Sequence, residues 1–203
     1  GIQFEIEDNR DYMDYTFTPE QFLAGMDTQD DRYRYNYFKR RFAYETEEIT
    51  PSHQEEIREF MEKEWCGEKT CEECHCGCLL RVIDNLVPVF DKIRINGILV
   101  RVEGKMAGLC IVSCRNGLGV YQYKNAVNRI KGINEYLLRE SFERYLQSAD
   151  TINYTEDMGV ENLRYYKEHM APAHTLLSKL TLTERGLSLI HISEPTRRTP
   201  ISY

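Results

Sequence analysis

One short segment, residues 152–167, brings together side chains that can move protons and bind negative charge. It contains Asn153, Glu156, Asp157, Arg164 and Lys167. A carboxylate can accept a proton from a reacting amine or hydroxyl, and a guanidinium or ammonium group can bind phosphate or stabilise a developing oxyanion. The segment therefore predicts a reaction site. A structural interpretation stays open, in which Asp157 caps a helix and Arg164 pairs with the acid three residues before it.

The order of residue types explains why these side chains should converge. Ile152 and Tyr154 suit a short strand, Asp157 and Gly159 interrupt it, and a helical period begins near Val160. In α/β sheets, ligand-binding groups are presented at the carboxyl ends of strands. We therefore expect the polar residues of the turn to face a binding site.

A second group of residues suits an anion. It consists of Arg129, Lys131, Gly132 and Asn134, just before a predicted helix. The first turn of a helix exposes unpaired N–H groups with a partial positive charge, and glycine lets an anion approach the backbone. The pattern predicts a phosphate site, and an ordinary loop is the alternative.

Five of the seven cysteines crowd into one run together with a histidine. They are Cys66, Cys71, Cys74, Cys76 and Cys78, with His75 among them. Because no secretion signal is visible, we expect reduced thiols, and zinc prefers four thiolate or imidazole ligands. The run is a candidate zinc site, and the alternative is that small cysteines pack on an apolar helix face.

Charge and hydropathy limit the function classes. The 203 residues carry a formal net charge of −7, which argues against a general binder of phosphate backbones. A basic group formed by Arg32, Arg34, Lys39, Arg40 and Arg41 can touch an RNA end or form a solvated helix face. No run of about 18 apolar residues is present, so we expect no membrane segment in this fragment. We also expect a cytoplasmic location.

Both ends of the chain are unusual. The stretch from Leu187 to Arg197 reads LSLIHISEPTR, which resembles a translated sequencing adapter, so we expect residues 187–203 to be non-native. Gly1 is not a methionine, and we expect the reading frame to start inside a longer one. The remaining 186 residues suffice for one main domain with a sizeable core.

Periodicity predicts helices followed by a β-rich middle. Helices should begin at Thr18 and Ser52, where a capping residue is followed by Gln21 or Glu55 three positions later. Asn116-Gly117 predicts a hairpin, since both residues tolerate positive φ. The remaining predicted elements are a helix over 79–93, strands over 98–103, 106–114 and 118–127, a helix ending near 147 and a strand over 173–182.

The segment around Asp157 resembles the C-terminal domain family of phosphatidylglycerol lysyltransferases. The positions that carry the resemblance are Asn153, Asp157, Gly159, Leu163, Arg164, Lys167 and Pro172. The family implies an α/β (α+β) GNAT-like fold, with an antiparallel meander, then helix, strand, helix and strand, and a mixed central sheet flanked by helices. It also implies that residues 1–50 are a connector and the end of a truncated first GNAT-like half, that 51–186 form the GNAT-like domain, and that the missing half acts in cis.

The resemblance implies transfer of an acyl or aminoacyl group to an amine or hydroxyl acceptor. The donor would be acetyl-CoA, another acyl-CoA or an aminoacyl-tRNA. Its pyrophosphate or acceptor-end phosphate would meet the residues that open the helix after the meander. Lys124 and Asn153 would bind substrate, and Tyr166 would be a general acid, with aromatic packing as its alternative. Asn134 stands where the family pattern has a small residue, and Tyr123 where it has an acid. These departures favour the competing hypothesis of a non-catalytic module that binds a ligand or RNA end, with or without structural zinc.

Overall fold

The computed structural model describes residues 4–7, 9–66, 77–170, 175–177 and 181–184. Six α-helices lie in these ranges. The predicted capping box at Thr18 is confirmed, because the Thr18 hydroxyl accepts a hydrogen bond from the Gln21 backbone amide. Residues 187–203 fall outside the described residues, as do residues 173–174 and 178–180 of the strand predicted over 173–182. The helices are α1 (Pro19–Gly25), α2 (Gln29–Arg41), α3 (Gln54–Met61), α4 (Gly77–Leu86), α5 (Ile133–Ser141) and α6 (Glu161–Met170).

Short non-α turns extend several of these helices. A 3₁₀ turn at Pro51–His53 leads into α3, another at Val87–Val89 follows α4, and Arg10–Tyr12 forms a third. Two π-helical turns continue α3 and α5, at Glu62–Cys66 and Phe142–Leu146. The predicted helices over 79–93 and up to 147 are therefore present, but each changes its hydrogen-bonding pattern before it ends.

The described ranges contain nine strands in two sheets. A large sheet has the order β3-β4-β5-β6-β7-β2-β8, and β1 pairs separately with β9. All neighbours are antiparallel except β6 and β7, which run parallel. The strands are β1 (Phe4–Glu7), β2 (Asp14–Phe17), β3 (Tyr44–Glu48), β4 (Asn96–Val102), β5 (Lys105–Arg115), β6 (Leu118–Ala126), β7 (Thr151–Asn153), β8 (Thr175–Leu177) and β9 (Thr181–Glu184).

The predicted meander is confirmed as β4, β5 and β6. Its two hairpins turn on residues with positive φ, namely Glu103 at 53°, Gly104 at 74°, Asn116 at 50° and Gly117 at 78°. Paired positive φ values match the right-handed twist of the strands on either side. The meander followed by α5, the parallel strand β7 and α6 gives the chain a GNAT-like α/β fold.

The meander separates two cores, since alternate residues point to opposite faces of a sheet. On one face, Ile98 and Val100 pack with α5 and with the aromatic residues of β2, α1 and α2. On the other face, Leu99 and Leu109 pack with α3 and α4. Cys110 is fully buried in the first core, as its place in an apolar strand predicts. Helices therefore cover both faces of the sheet.

Strands β6 and β7 separate after a short parallel pairing. Leu118–Val120 pair with Thr151–Asn153, but β6 continues for six residues beyond Val120, to Ala126. The two strands diverge there, and a gap opens at their carboxyl ends. This gap determines the position of the candidate site.

The first fifty residues contribute more strands than the sequence predicts. β2 lies inside the large sheet between β7 and β8, and β3 forms its far edge beside β4. The domain division at residue 50 stays a prediction, although strands from both sides of it share one sheet. At the other end, where a single strand is predicted over 173–182, the described residues form β8, which pairs with β2, and the start of β9, which pairs with β1. Among the described residues, no helix combines the length and apolar character that a membrane span requires.

Candidate active site

A cavity of about 300 Å³ fills the gap between β6 and β7. Its walls come from the end of β6, the first turn of α5, the end of β7 and one face of α6. Four of the predicted site residues meet here: Lys124, Asn134, Tyr166 and Lys167. The lining residues are Lys124, Asn125, Ala126, Asn128, Asn134, Glu135, Tyr154, Leu163, Tyr166 and Lys167.

Lys124 connects the two sides of this β6–β7 cleft. Its ammonium group donates a hydrogen bond to Asn134 Oδ1 over 2.9 Å. Burial lowers the pKa of Lys124, and the charges of Cys110 and Glu135 oppose that effect only in part. The site therefore holds an amine whose positive charge is poorly solvated, and such a group gains from binding a negative ligand atom.

Tyr166 stands between the β6–β7 cleft and a second cavity. Burial of its hydroxyl raises the pKa to about 12, although a hydrogen bond with Tyr154 acts in the opposite direction. The phenol therefore keeps its proton at neutral pH and can donate it. This property fits the predicted role of a general acid, which stays a prediction.

Lys167 holds the turn that follows β7. Its ammonium group donates to the carbonyl oxygens of Tyr154 and Glu156, over 2.6 and 2.8 Å, and to Thr155 Oγ1 over 3.3 Å. Burial lowers its pKa to about 7. Thr155 has a φ of 58°, a conformation that costs free energy for a β-branched residue. Lys167 therefore stabilises a strained turn at the cleft wall, where it also borders the cavity.

Asp157 is the centre of a buried ion-pair cluster. It is 0% exposed, and its carboxylate accepts hydrogen bonds from Arg10, Tyr15, the Gly159 amide and Arg164 over 2.7 to 3.0 Å. Burial alone would raise the pKa of Asp157, but these donors lower it well below its usual value. Asp157 is thus both an acceptor within the turn before α6 and an ion-pair partner.

The other predicted catalytic residues of this turn lie around that cluster. Arg164 bonds to Asp157 and also to Asp11 Oδ1 over 2.6 Å. The main-chain oxygen of Glu156 accepts a hydrogen bond from Lys167. The side chain of Glu156 is not among those that line the β6–β7 cleft. The structure therefore places Tyr166 and Lys167 at the cleft, and it places Asp157 and Arg164 in the adjoining cluster.

The predicted phosphate group is divided among different surroundings. Asn134 lines the cleft. Arg129 is exposed and pairs with Glu64. The Lys131 ammonium lies over the rings of Tyr33 and Tyr37. Gly132 is buried against α2 with a φ of 88°, and a Cβ there would lie 2.1 Å from the Arg34 carbonyl oxygen. Gly132 is thus required by helix packing.

Asn153 and the cysteines complete the predicted set. Asn153 is buried and donates to Asp14 Oδ2 over 2.9 Å, while its own Oδ1 accepts from the Thr155 amide over 2.7 Å. It shapes the turn below the β6–β7 cleft. Cys71, Cys74 and Cys76 lie outside the described residues, as do the side chains of Cys66 and Cys78, so zinc stays a prediction. Over the part of the chain that is described, no cluster of three or more His, Cys, Asp or Glu residues could hold a metal.

The second cavity, of about 260 Å³, lies between α1, α2, α5 and α6. Tyr35, Leu138 and Tyr165 give it an apolar and aromatic lining, and Glu135 and Tyr166 line it together with the β6–β7 cleft. Two compartments therefore share one wall. Glu135 is a site residue that the sequence interpretation missed. Its position one residue after Asn134, in the first turn of the helix, was the available signal.

Comparison with known proteins places the chain in a family. The family profile described as phosphatidylglycerol lysyltransferase, C-terminal, matches residues 3–178. No functionally curated protein sequence matches the chain significantly.

Solved structures show the same fold. A conserved protein of unknown function from Bacteroides thetaiotaomicron has a TM-score of 0.76 at 24% identity over 90% of this chain and 63% of its own. The L-PGS of Bacillus licheniformis has a TM-score of 0.60 at 15% identity, covering 94% and 64%. FemX has a TM-score of 0.57 at 11% identity, and the match covers 88% of this chain and 64% of the FemX chain.

The chain thus spans slightly under two thirds of the length of these structures. Because the sequence identities are below 25%, these structures show only that the fold is shared. The family profile, in contrast, matches most of the sequence. The chain belongs to the phosphatidylglycerol lysyltransferase C-terminal family.

Proposed function

We propose that the β6–β7 cleft transfers an acyl or aminoacyl group to an amine or hydroxyl acceptor. The observation that carries this proposal is the meeting of Lys124, Asn134 and Tyr166 at the point where two parallel strands diverge. Membership of a lysyltransferase family supports it. The donor class is open between an acyl-CoA and an aminoacyl-tRNA.

In the proposed reaction, the acceptor nitrogen or oxygen attacks the donor carbonyl carbon. The Lys124 ammonium stabilises the negative charge that develops on the carbonyl oxygen. Asn134 holds that ammonium in place through the 2.9 Å hydrogen bond. The new C–N or C–O bond forms as the bond from the carbonyl carbon to the donor's leaving oxygen or sulfur breaks.

Proton transfer balances the step. Tyr166 gives its phenolic proton to the leaving oxygen or sulfur, and the Glu135 carboxylate, which borders both compartments, takes the proton that the acceptor loses. Because Glu135 also faces the second cavity, we assign that cavity to the acceptor. Asp157, Arg164 and Lys167 maintain the shape of the turn, and their earlier assignment to catalysis stays a prediction.

Substitution of Lys124 by methionine should reduce transfer at least roughly 100-fold, since loss of one oxyanion donor commonly costs that much. Tyr166→Phe should cost roughly 100- to 10,000-fold, the usual contribution of a general acid. Single-turnover transfer of a radiolabelled acyl group would measure both, with acetyl-CoA and charged tRNA tested as separate donors.

Lys105→Met is the matched control, because Lys105 is an exposed lysine in the first hairpin of the meander. Unchanged single-turnover rates in both cleft variants would contradict the proposed active site. Circular dichroism would establish that each variant is folded.

A binding module is the second candidate. The observation in its favour is that Asp157, Arg164 and Lys167 are each engaged in several bonds that hold the turn. If the wild-type chain binds a donor in the cleft but yields no product with any acceptor, this second function replaces the first.

A further inference from the structure

The second cavity, between α1, α2, α5 and α6, has two kinds of lining that suit different parts of one ligand. Met26, Leu138 and Met170 are buried apolar side chains on its wall. The carboxylates of Asp31 and Glu135 stand on the same wall. Its volume of about 260 Å³ is just below the usual range for small-molecule sites. A matching ligand is therefore small, with an apolar body and a positively charged end.

The negative charge of this wall is only partly compensated. The Asp31 carboxylate accepts a hydrogen bond from the Thr28 hydroxyl, but it forms no ion pair with a basic side chain in the described part of the chain. Glu135 lies 3.8 Å from Arg34 Nη1, whereas the Arg34 Nε bonds to Asp30 over 2.7 Å. Glu135 is thus the weaker partner of that arginine, and both carboxylates can accept from a ligand.

The basic groups on the wall are already engaged within the protein. Arg139 donates to the Met26 carbonyl oxygen over 2.9 Å and to Asp27 Oδ1 over 3.0 Å. His169 Nδ1 donates to the Tyr165 carbonyl oxygen over 2.7 Å, so the neutral ring keeps Nε2 as an acceptor. The second cavity therefore offers acceptors to a ligand, which suits an ammonium group and disfavours a phosphate.

Glu135 also determines where a bound ammonium group would lie. Glu135 and Tyr166 border both the second cavity and the β6–β7 cleft. Burial is the main cause of the shifted pKa values of Lys124 and Tyr166, and the Glu135 charge contributes to both. An ammonium group paired with Glu135 therefore has its nitrogen beside the cleft and its apolar body in the second cavity.

We propose that the acceptor is a small primary amine with an aromatic or apolar body, bound in the second cavity as its ammonium form. This inference rests on the proposed function and narrows its acceptor class. Tyr165 and Tyr166 add rings to the apolar lining, which suits an aryl group. A phospholipid headgroup would instead bring a phosphate toward two carboxylates, and like charges repel. A neutral alcohol would leave both carboxylates without a counter-charge.

The transfer step then forms an amide and balances without a further reagent. The ammonium gives one proton to the Glu135 carboxylate, and the resulting free amine attacks the donor carbonyl carbon. As the new C–N bond forms, the bond to the leaving oxygen or sulfur breaks, and that atom takes the Tyr166 proton. The amide nitrogen returns its excess proton to Tyr166, and Glu135 releases its proton to solvent.

The test is isothermal titration calorimetry of the full chain at pH 7 with phenethylamine and with 2-phenylethanol, in the absence of any donor. The two probes share their ring and chain length and differ in charge. Phenethylamine should bind roughly 10- to 100-fold more tightly, the value of hydrogen bonds to a charged group. Glu135→Gln should remove most of this preference and leave the affinity for 2-phenylethanol unchanged.

Glu59→Gln is the matched control, because Glu59 is an exposed carboxylate of α3, on the other face of the sheet. It removes the same charge and should leave both affinities unchanged. Tyr165→Ala removes a ring that is 64% exposed and should weaken the binding of both probes equally, by roughly 2- to 10-fold. Equal affinities of the wild type for amine and alcohol would overturn the proposal, as would equal losses in Glu135→Gln and Glu59→Gln.

Lys124→Met separates this inference from the proposed function. It should reduce transfer at least roughly 100-fold, while phenethylamine still binds. Binding of phenethylamine through Glu135, in a protein that transfers nothing, would uphold the amine site and reject the active site. Transfer to 2-phenylethanol or to short-chain phosphatidylglycerol, in preference to phenethylamine, would uphold the active site and overturn the amine acceptor.

Discussion

Replacing Asp157 with asparagine is expected to lower the free energy of unfolding by about 3 kcal/mol at pH 7, the usual scale for breaking a buried ion pair. The change leaves Arg10 and Arg164 facing a neutral amide in a fully buried position. It also replaces one of the two carboxylate oxygens that accept hydrogen bonds from the Tyr15 hydroxyl and the Gly159 amide. Urea denaturation followed by circular dichroism would measure the loss.

The pH dependence of this loss follows from the lowered pKa of Asp157. Its folded pKa lies below the unfolded value of about 4, so its stabilising contribution is fully present above that value and decreases as the pH falls. The difference in free energy of unfolding between wild type and Asp157→Asn should be constant from pH 5 to pH 7 and should become smaller below about pH 4. Asp27→Asn, which affects an exposed carboxylate paired with Arg32 and Arg139, should give no measurable change. Equal effects of the two substitutions would contradict the assignment of Asp157 to a buried cluster.

Gly132→Ala is expected to cost about 3 kcal/mol of unfolding free energy. A side chain at a φ of 88° costs about 1–2 kcal/mol by itself. The added Cβ would also lie 2.1 Å from the Arg34 carbonyl oxygen, so α2 and α5 must move apart, at a further cost of about 1–3 kcal/mol.

Gly104→Ala is the control for the Gly132 substitution. Gly104 has a similar φ of 74°, but a Cβ there would meet nothing within 4 Å. We therefore expect only the backbone cost, about 1 kcal/mol. Urea midpoints of the two variants would isolate the steric part of the effect. If both variants lose the same stability, the glycine at position 132 is needed for its backbone conformation and not for the approach of the helices.

Local patterns predicted the parts of the fold that depend on neighbouring residues. The Asn116-Gly117 hairpin, the Thr18 capping box and the three meander strands are all present, because each is determined by a few consecutive side chains. Asn134 lies in the first turn of the predicted helix, whereas Lys124 lies within β6 and became a candidate through the family resemblance. Tyr166 also lines the β6–β7 cleft, and its candidacy as a general acid came from the family resemblance.

Long-range pairings could not be predicted in this way. β3 reads YETEE and lacks an apolar alternation, because it is an edge strand whose side chains are mostly exposed. β2 is only four residues long, and its partners lie in β7 and β8. Likewise, nothing near Arg10 in the sequence indicated that it would meet Asp157, 147 residues away. The role of Gly132 was hidden for the same reason, since the atom it contacts belongs to α2.

The central place of β2 also bears on how the chain is made. Asp14 is 139 residues from Asn153, the β7 side chain to which it bonds. At ordinary rates of translation, on the order of ten seconds pass between synthesis of the two residues. During that interval β2 leaves the ribosome with both hydrogen-bonding edges open, and its apolar residues remain available to chaperones or to neighbouring nascent chains. Completion of this sheet is therefore a late event in the life of the polypeptide.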